Sequence, residues 1–249
     1  MRIGIMGASG RVGTRLVELI VASPGLELAA ALVSPGSRLA GTPVAGGSIE
    51  YRPADKAINS HCDVMIDFST PAASLALQES IGTKAIPMVI GTTGFTGQED
   101  AKLSEHCAQR PMLVSANFAR GFEAFRRATL GFARQMPAAE PAVAETYHVR
   151  KKPDPSGTSR LLADQLFEAR SAVMKFAAQR PAIAVHREGD TVGINTVRFD
   201  MGSAEVVMTY RVHALAAYAE GALAAAQWLV SKPRQPGRYS LADSFNEND

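Results

Sequence analysis

A glycine-rich turn close to the first residue limits most strongly how this chain can fold. Residues 3–6 form a short apolar run, residues 7–13 read Gly-Ala-Ser-Gly-Arg-Val-Gly, and apolar residues at helical spacing continue from 12 to 22. This order of strand, glycine turn and helix is typical of a dinucleotide-binding βαβ unit, because glycines let the backbone turn sharply and approach a pyrophosphate. The turn therefore predicts a Rossmann domain. The pyrophosphate contacts expected from it are Gly7, Ala8, Ser9, Gly10, Arg11 and Val12.

The end of the second strand indicates which nicotinamide cofactor is preferred. Domains that prefer NAD usually carry Asp or Glu there, which accepts hydrogen bonds from the ribose hydroxyls. Here the apolar run 26–33 is followed by Ser34, and Ser37 and Arg38 come next. With no carboxylate at this place, we expect NADPH to be preferred over NADH, with Ser34 and Arg38 near the 2′-phosphate. An ordinary surface turn is the competing explanation.

Three further runs have the character of buried parallel strands. Residues 64–68, 88–90 and 112–114 are short and mainly apolar, and each is followed by a small, polar turn. Such runs are typical of parallel strands covered on both faces. Because ligands bind at the carboxyl ends of these strands, the successive turns are expected to line one crevice.

The pattern changes in the second half of the chain. From about Glu145 the strands are longer and more alternating, as in 191–199 and 205–212, which favours an antiparallel or mixed sheet. An alanine-rich helix over 214–230 is suited to return to the first domain. The predicted fold class is α/β, a Rossmann domain combined with a central α+β domain that contains a mixed sheet.

The expected domain boundaries follow from this change of pattern. Residues 1–117 and 214–249 are assigned to the dinucleotide-binding domain, and residues 118–213 to the central domain. The acidic tail 246–249 is expected to fray. Aromatic residues expected in the core, not in a site, are Phe122, Phe125, Phe176 and Trp228.

The stretch 145–158 has the highest density of residues that can carry chemistry. Lys151 supplies a cation, and Ser156, Gly157 and Thr158 precede an apolar helix whose N-terminus offers N–H groups, so a substrate carboxylate would be well held there. A solvated basic loop is the competing explanation. The titratable candidates for proton donation are Tyr147, His148 and Lys151.

Composition excludes several classes of function. The net charge of +2 and the absence of a long Lys/Arg run argue against a nucleic-acid-binding protein. Cys62 and Cys107 lack the paired spacing of a zinc or redox site, and the histidines have no metal-ligand spacing, so no metal is expected. Since Met1 leads directly into a strand and no apolar run is long enough to span a membrane, we expect a cytoplasmic enzyme.

The order and spacing of these motifs resemble the dihydrodipicolinate reductase family of bacterial lysine biosynthesis, nearly from end to end. The matching segments are 7–13, Ile-Asp-Phe-Ser-Thr-Pro at 66–71, Gly-Thr-Thr-Gly-Phe at 91–95, Ser-Ala-Asn-Phe at 115–118 with Gly121, Lys151 with Pro-Ser-Gly-Thr at 155–158, Arg187, Gly-Asp at 189–190, Val-Gly at 192–193, and Ala-Glu-Gly-Ala-Leu at 219–223.

The resemblance implies an NAD(P)H-dependent enzyme that reduces the C=N bond of a cyclic imino acid. It further implies that the central domain binds the substrate and builds a homotetramer. His148, Lys151, Ser156, Gly157 and Thr158 would then bind the substrate. Further cofactor contacts would come from Phe68, Ser69, Gly91, Thr92, Thr93, Ser115, Ala116, Asn117 and Phe118.

The chain departs from the family pattern at four polar positions of the substrate site. The family's proton-donating histidine is Tyr147 here, and the histidine expected after Val192-Gly193 is replaced at Asn195. The His and Arg usual before the final helix are Tyr210 and Leu215. A phenol has an ordinary pKa near 10, so Tyr147 as a donor needs a nearby cation such as Lys151. In addition, the family's Asp-Ala-Pro-Ser-Gly-Thr becomes Pro-Asp-Pro-Ser-Gly-Thr over 153–158.

The sequence is therefore consistent with three functions. The first is an NAD(P)H-dependent reductase of the lysine-pathway imine or a related imino acid. The second is an amino-acid or amine dehydrogenase, or an imine reductase, of the same fold acting on another substrate, which the four departures favour. The third is a non-catalytic nucleotide-binding protein, against which the retained Lys151 and 155–158 motif argue.

Overall fold

The computed structural model describes residues 1–45, 47, 49–54, 61–82, 84, 86–174 and 178–246. The chain divides into two compact units. The first unit comprises Met1–Ala119 and Leu215–Asp249, and the inserted unit comprises Arg120–Ala214. Phe176 and residues 247–249, for which a core position and fraying were expected, lie outside the described residues.

The described strands, in chain order, are β1 Arg2–Met6, β2 Glu27–Val33, β3 Tyr51–Pro53, β4 Val64–Asp67, β5 Met88–Ile90, β6 Pro111–Val114, β7 Glu140–Tyr147, β8 Ile183–Arg187, β9 Gly193–Asp200, β10 Glu205–Val212 and β11 Gly237–Tyr239. The described helices are α1 Arg11–Ala22, α2 Pro71–Ile81, α3 Gly97–Cys107, α4 Phe122–Gln135, α5 Gly157–Ser171, α6 Ala216–Val230 and α7 Leu241–Asn246.

The first unit is built on a seven-stranded parallel sheet in the order β11-β6-β5-β4-β1-β2-β3. Alternate side chains of the sheet bury against different helices. Ile3 and Ile5 pack in one cluster with residues of α1 and α6, whereas Met6 and Met65 pack in another with residues of α2 and α3. The predicted Rossmann-type parallel sheet is confirmed.

The inserted unit is built on a four-stranded sheet in the order β10-β9-β7-β8. β7 pairs with β8 in parallel and with β9 antiparallel, so the predicted mixed sheet is confirmed. Val143, Val197 and Phe199 share a core with residues of α4 and α5. Side chains two residues apart lie on the same face of a strand. Glu145 and Asn195 therefore extend this buried face, as their low exposure shows.

Helix α6 of the first unit packs very closely against the turn that follows β6. A Cβ atom added at Gly221 of α6 would lie 1.7 Å from the carbonyl oxygen of Phe118. Only glycine permits this approach between a helix and the turn that follows β6. The contact explains the need for a helix-disfavouring residue in the middle of an otherwise alanine-rich segment.

Two glycine substitutions in helices are expected to have opposite effects. Gly221→Ala should lower the free energy of unfolding by about 1–3 kcal/mol, because the methyl group overlaps Phe118. Gly131→Ala in α4 brings the new methyl group within 4 Å of no described atom outside its chain neighbours and its own helix backbone, and should raise the free energy of unfolding by about 0.5–1 kcal/mol. Urea denaturation of both variants checks this, and equal effects would contradict the close approach.

Candidate functional site

The glycine turn of the first unit has the geometry that its sequence predicts. Gly7 has a φ of 79°, and a Cβ atom there would lie 2.3 Å from the carbonyl oxygen of Phe68. The N–H groups of Gly7 and Ala8 both donate to the carbonyl oxygen of Leu32, at 3.0 and 2.9 Å. A Cβ atom at Gly13 would lie 2.1 Å from the carbonyl oxygen of Gly7. Positive φ and close packing therefore both require glycine in this turn.

The helix that follows the turn can receive an anion. α1 begins at Arg11 after Gly10, which has no side chain to cap the helix, and its first turn contains no acidic residue. The first N–H groups of a helix lack intrahelical acceptors and carry a partial positive charge. The arrangement fits the pyrophosphate of a dinucleotide.

The turns after β4 and β5 are joined by hydrogen bonds. The Ser69 N–H donates to Oγ1 of Thr92 at 2.9 Å, and the Ser69 hydroxyl donates to Oδ1 of Asp67 at 2.5 Å. The Gly91 N–H donates to the carbonyl oxygen of Asp67 at 2.8 Å. The structure therefore brings together several residues that were expected to contact the cofactor.

Asp67 is a buried carboxylate that the sequence analysis did not select. Burial raises its pKa, and hydrogen bonds from Ser69, Ser74 and Thr92 oppose that effect. A signal was present, since an acid ended an otherwise apolar strand at the expected ligand edge of the sheet. Its hydrogen bonds fix the two turns, so we assign it an organising role.

Aromatic packing shapes the remaining turns of the first unit. The rings of Phe68 and Phe118 meet edge to face with centroids 5.7 Å apart, and a Cβ atom at Gly91 would overlap the Phe68 ring. Phe118 is buried in the core. The Asn117 amide oxygen accepts the Ala119 N–H at 2.9 Å. The turn 115–119 is thus held by core packing and by its own hydrogen bonds.

Ser34 and Arg38 are both exposed on the turn that follows β2. The Ser37 N–H donates to the carbonyl oxygen of Ser34 at 2.9 Å, which closes the turn. Such exposure is compatible with a phosphate contact and also with an ordinary surface turn. NADPH preference stays a prediction.

In the inserted unit, the predicted anion site lies at the start of α5. Ser156 is the N-cap residue, and its side chain accepts the Ser159 N–H at 3.2 Å. Gly157 and Thr158 form the first turn, which contains no acidic residue. The ammonium of Lys151 lies 3.6 Å from the ring centroid of Tyr147, a cation–π contact.

A buried glutamate that the sequence analysis did not select organises this region. Glu145 is 1% exposed, and its Oε2 accepts the Ser156 N–H at 2.8 Å and the Ser159 hydroxyl at 2.6 Å. Its Oε1 lies 3.0 Å from Nη1 of Arg187. Burial raises the pKa of Glu145, but the hydrogen bonds from Ser156, Ser159 and Arg187 outweigh it and lower that pKa below its ordinary value. The carboxylate is therefore the stable form.

Arg187 connects this carboxylate to the basic loop. Its Nε and Nη2 donate to the carbonyl oxygen of Lys152 at 3.0 and 2.6 Å, and Nη2 also donates to that of Asp154 at 2.9 Å. One guanidinium thus holds the loop before α5 and neutralises Glu145. The resemblance to the family included Arg187, but it did not indicate that Arg187 contacts Glu145 and the loop carbonyl oxygens of Lys152 and Asp154.

Three of the four departures from the family pattern lie side by side. Asn195 pairs in register with Glu145 of β7 and with Tyr210 of β10. The Tyr147 hydroxyl donates to Oδ1 of Asn195 at 3.4 Å, and Nδ2 of Asn195 donates to the Ser159 hydroxyl oxygen at 3.0 Å. The changes at 147 and 195 therefore form one buried network. Leu215, the fourth departure, precedes α6 in the first unit.

Both tyrosines of this group hold their protons strongly. Burial raises the pKa of Tyr147. Hydrogen bonds with Ser156, Thr158 and Asn195 oppose this rise, and the charge of Glu145 adds to it. Burial, with a contribution from Tyr147, raises the pKa of Tyr210 to about 12. The Lys151 ammonium lies beside the Tyr147 ring, where a nearby cation was expected. The pKa of Tyr147 is nevertheless raised above its ordinary value.

In the described part of the chain, His, Cys, Asp and Glu residues form no cluster of three or more that could hold a metal ion. No helix among the same residues has the length and apolarity needed to cross a membrane.

Comparison with known proteins identifies the class. The family model described as "Dihydrodipicolinate reductase, N-terminus" matches residues 1–118, and that described as "Dihydrodipicolinate reductase, C-terminus" matches residues 121–245. The chain is 33% identical over 270 residues to 4-hydroxy-tetrahydrodipicolinate reductase of Psychrobacter arcticus, covering 100% of this chain and 96% of the relative. The protein belongs to the dihydrodipicolinate reductase family, whose members are NAD(P)H-dependent oxidoreductases that act on a C=N bond.

Solved structures agree on the fold. A dipicolinate-bound dihydrodipicolinate reductase from Paenisporosarcina sp. TG-14 aligns with a TM-score of 0.71 at 17% identity, covering 96% of this chain and 97% of that one. An amine dehydrogenase from Mycobacterium smegmatis aligns with a TM-score of 0.62 at 8% identity, covering 97% and 95%. The fold is thus shared by enzymes of different names.

Loss of the Glu145 charge should weaken the inserted unit in a pH-dependent manner. At pH 7, Glu145→Gln should lower its free energy of unfolding by about 3–5 kcal/mol, because Arg187 loses its buried counter-charge. Since the folded state lowers the pKa of Glu145, this stabilisation is complete above the ordinary value of 4.5 and is lost as pH falls through the lower folded value.

Urea denaturation of the wild type and Glu145→Gln from pH 7 to pH 3 measures this difference. Glu140→Gln, at the exposed start of the same strand, is the matched control and should behave as the wild type. A difference that does not shrink at low pH would contradict the role given to the carboxylate.

Proposed function

We propose that this protein reduces the C=N bond of a cyclic imino acid of the 4-hydroxy-tetrahydrodipicolinate type, with NADPH as the preferred reductant, in the diaminopimelate route to lysine. The observation that supports it most directly is the arrangement at the start of α5 in the inserted unit, where a substrate carboxylate is predicted to bind. There the N-terminus of α5 is held by Glu145, and the Lys151 ammonium lies against the neighbouring Tyr147 ring. A substrate carboxylate is the chemical group that such a site suits.

The first unit is proposed to bind the cofactor through the turns described above. A bound reduced nicotinamide supplies the hydride that adds to the imine carbon. The pyrophosphate would be bound by the N–H groups of 7–12, and the turns 68–69, 91–93 and 115–118 would bind the nicotinamide end. Their mutual hydrogen bonds favour this assignment because a preformed site pays less ordering cost on binding.

The inserted unit is proposed to bind the imino acid and to complete the reaction. Lys151, Ser156, Gly157 and Thr158, with His148, would bind carboxylate. Reduction also requires one proton at the imine nitrogen, so that C=N becomes CH–NH. The side chains expected to supply that proton are Tyr147 and His148, which are consecutive and are each 5% exposed.

The second candidate is an amino-acid or amine dehydrogenase acting on another substrate. Tyr147, Asn195 and Tyr210 favour it, because together they place neutral groups where the family has histidines. Such a change removes potential cationic partners of a carboxylate. A non-catalytic nucleotide-binding protein is disfavoured by the retained Lys151 and α5 start.

The resemblance also supports a cytoplasmic homotetramer as the working form. Oligomerisation through the inserted unit is part of that proposal. Sedimentation of the purified protein would measure the number of chains.

Turnover tests the proposed function. The purified protein should oxidise one NADPH per imine when it is given 4-hydroxy-tetrahydrodipicolinate, generated in the assay, and should act less efficiently on cyclic imino acids with one carboxylate. NADPH oxidation is followed by its absorbance. Turnover of none of these imines would refute the proposal. A preference for monocarboxylates would instead favour the second candidate.

Arg38 tests the cofactor preference. Arg38→Ala should raise the KM for NADPH about tenfold and leave the KM for NADH within about twofold, because only NADPH carries a 2′-phosphate that a guanidinium can bind. Arg238→Ala, which removes an exposed arginine paired with Asp100 in the same unit, is the control. Equal changes for both cofactors would show that Arg38 lies on an ordinary surface turn.

A further inference from the structure

The hydrogen bonds around Asn195 have a fixed direction. The Glu145 carboxylate only accepts, so the Ser159 hydroxyl must donate its one proton to it at 2.6 Å. The Ser159 oxygen then accepts from the Asn195 amide nitrogen at 3.0 Å. This turns the Asn195 carbonyl oxygen toward Tyr147, and the Tyr147 hydroxyl must be the donor to it. The ionised state of Glu145 thus determines the direction of the phenolic proton.

The face of the Tyr147 ring has a separate contact. The Lys151 ammonium lies 3.6 Å from the ring centroid, whereas the guanidinium carbon of Arg187 lies 5.9 Å away. Tyr147 is 5% exposed, so its ring is largely shielded from water. Cation–π attraction is stronger where water is excluded. The ring therefore holds the cation of the proposed carboxylate site in place.

We propose that Tyr147 is a positioning residue and not the proton donor: its hydroxyl donates to Asn195 at 3.4 Å, its ring contacts Lys151, and the proton of the reaction comes from His148. This inference rests on the proposed function and decides between its two candidate donors. His148 follows Tyr147 directly in the chain, and its imidazole is the remaining candidate general acid. Tyr147 instead determines how well the substrate carboxylate is bound.

Substitutions at Tyr147 separate the two roles. Tyr147→Phe keeps the ring and removes the hydroxyl, so kcat should fall only about threefold, whereas loss of a general acid would cost about 10²–10⁴-fold. Tyr147→Leu removes the ring, so the KM for the imine should rise about tenfold with a smaller change in kcat. His148→Gln should lower kcat by at least about 100-fold and remove the limb of the pH–rate profile that reports the acid.

A binding measurement tests the seating of Lys151 without any turnover. Dipicolinate, a dicarboxylate that carries no reducible imine, is titrated calorimetrically into the wild type, Tyr147→Phe, Tyr147→Leu, Lys151→Ala and the Tyr147→Leu/Lys151→Ala double variant. Tyr147→Phe should bind within about threefold of the wild type and Tyr147→Leu about tenfold more weakly. The two losses should not add in the double variant, because both remove the same cation from the site.

Tyr239→Phe is the matched control, since it removes an exposed tyrosine hydroxyl in the first unit, bonded to the carbonyl oxygen of Gln235. Thermal melting checks that each variant folds. If Tyr147→Leu does not fold, the Tyr147→Phe and Lys151→Ala results still test the inference.

A Tyr147→Phe loss of 100-fold in kcat, or additive losses in dipicolinate affinity, would overturn the inference. If the wild type reduces no imine, the proposed function fails while the calorimetric result still decides the seating of Lys151.

Discussion

The carboxylate of Glu145 is the interaction on which the architecture of the inserted unit depends. It stands on the buried face of β7, and it is stable there because Arg187 and the start of α5 satisfy it. One ion pair thereby links the strand, the helix and the basic loop. Through Ser159 it also orients the amide of Asn195. The directions of the side-chain hydrogen bonds from Ser159, Asn195 and Tyr147 follow from one buried negative charge.

The first unit depends on a different constraint, the close approach of backbone to backbone. Gly13 packs against the carbonyl oxygen of Gly7, and Gly221 packs against that of Phe118. Neither contact leaves room for a methyl group. A surface without side chains is what a pyrophosphate needs near a helix N-terminus, so the same property that closes the core also shapes the proposed cofactor site.

The sequence predicted the first unit better than the site of the inserted unit, for physical reasons. Buried parallel strands are continuous apolar runs and can be recognised in the sequence. The glycine positions in the 7–13 turn indicate its backbone conformation. The edge strands β3 and β11 have three residues each and were not predicted, because so short a segment has no readable periodicity. The network around Glu145 joins four elements, and its partners at 159, 187 and 195 are distant in sequence. A charge two residues before Tyr147, at an inward position of an alternating strand, was the one local signal.

The division of the chain has a consequence for how the protein is made. The inserted unit is one continuous segment, Arg120–Ala214, whereas α6 and β11 of the first unit come from the last part of the chain. On the ribosome, the segment that forms the inserted unit is complete while the first unit still lacks the helix that covers its sheet beside α1. Domains generally fold as units during synthesis. The second unit in the sequence can therefore complete its folding before the first, and the apolar sheet face that α6 covers stays open until α6 has been synthesised.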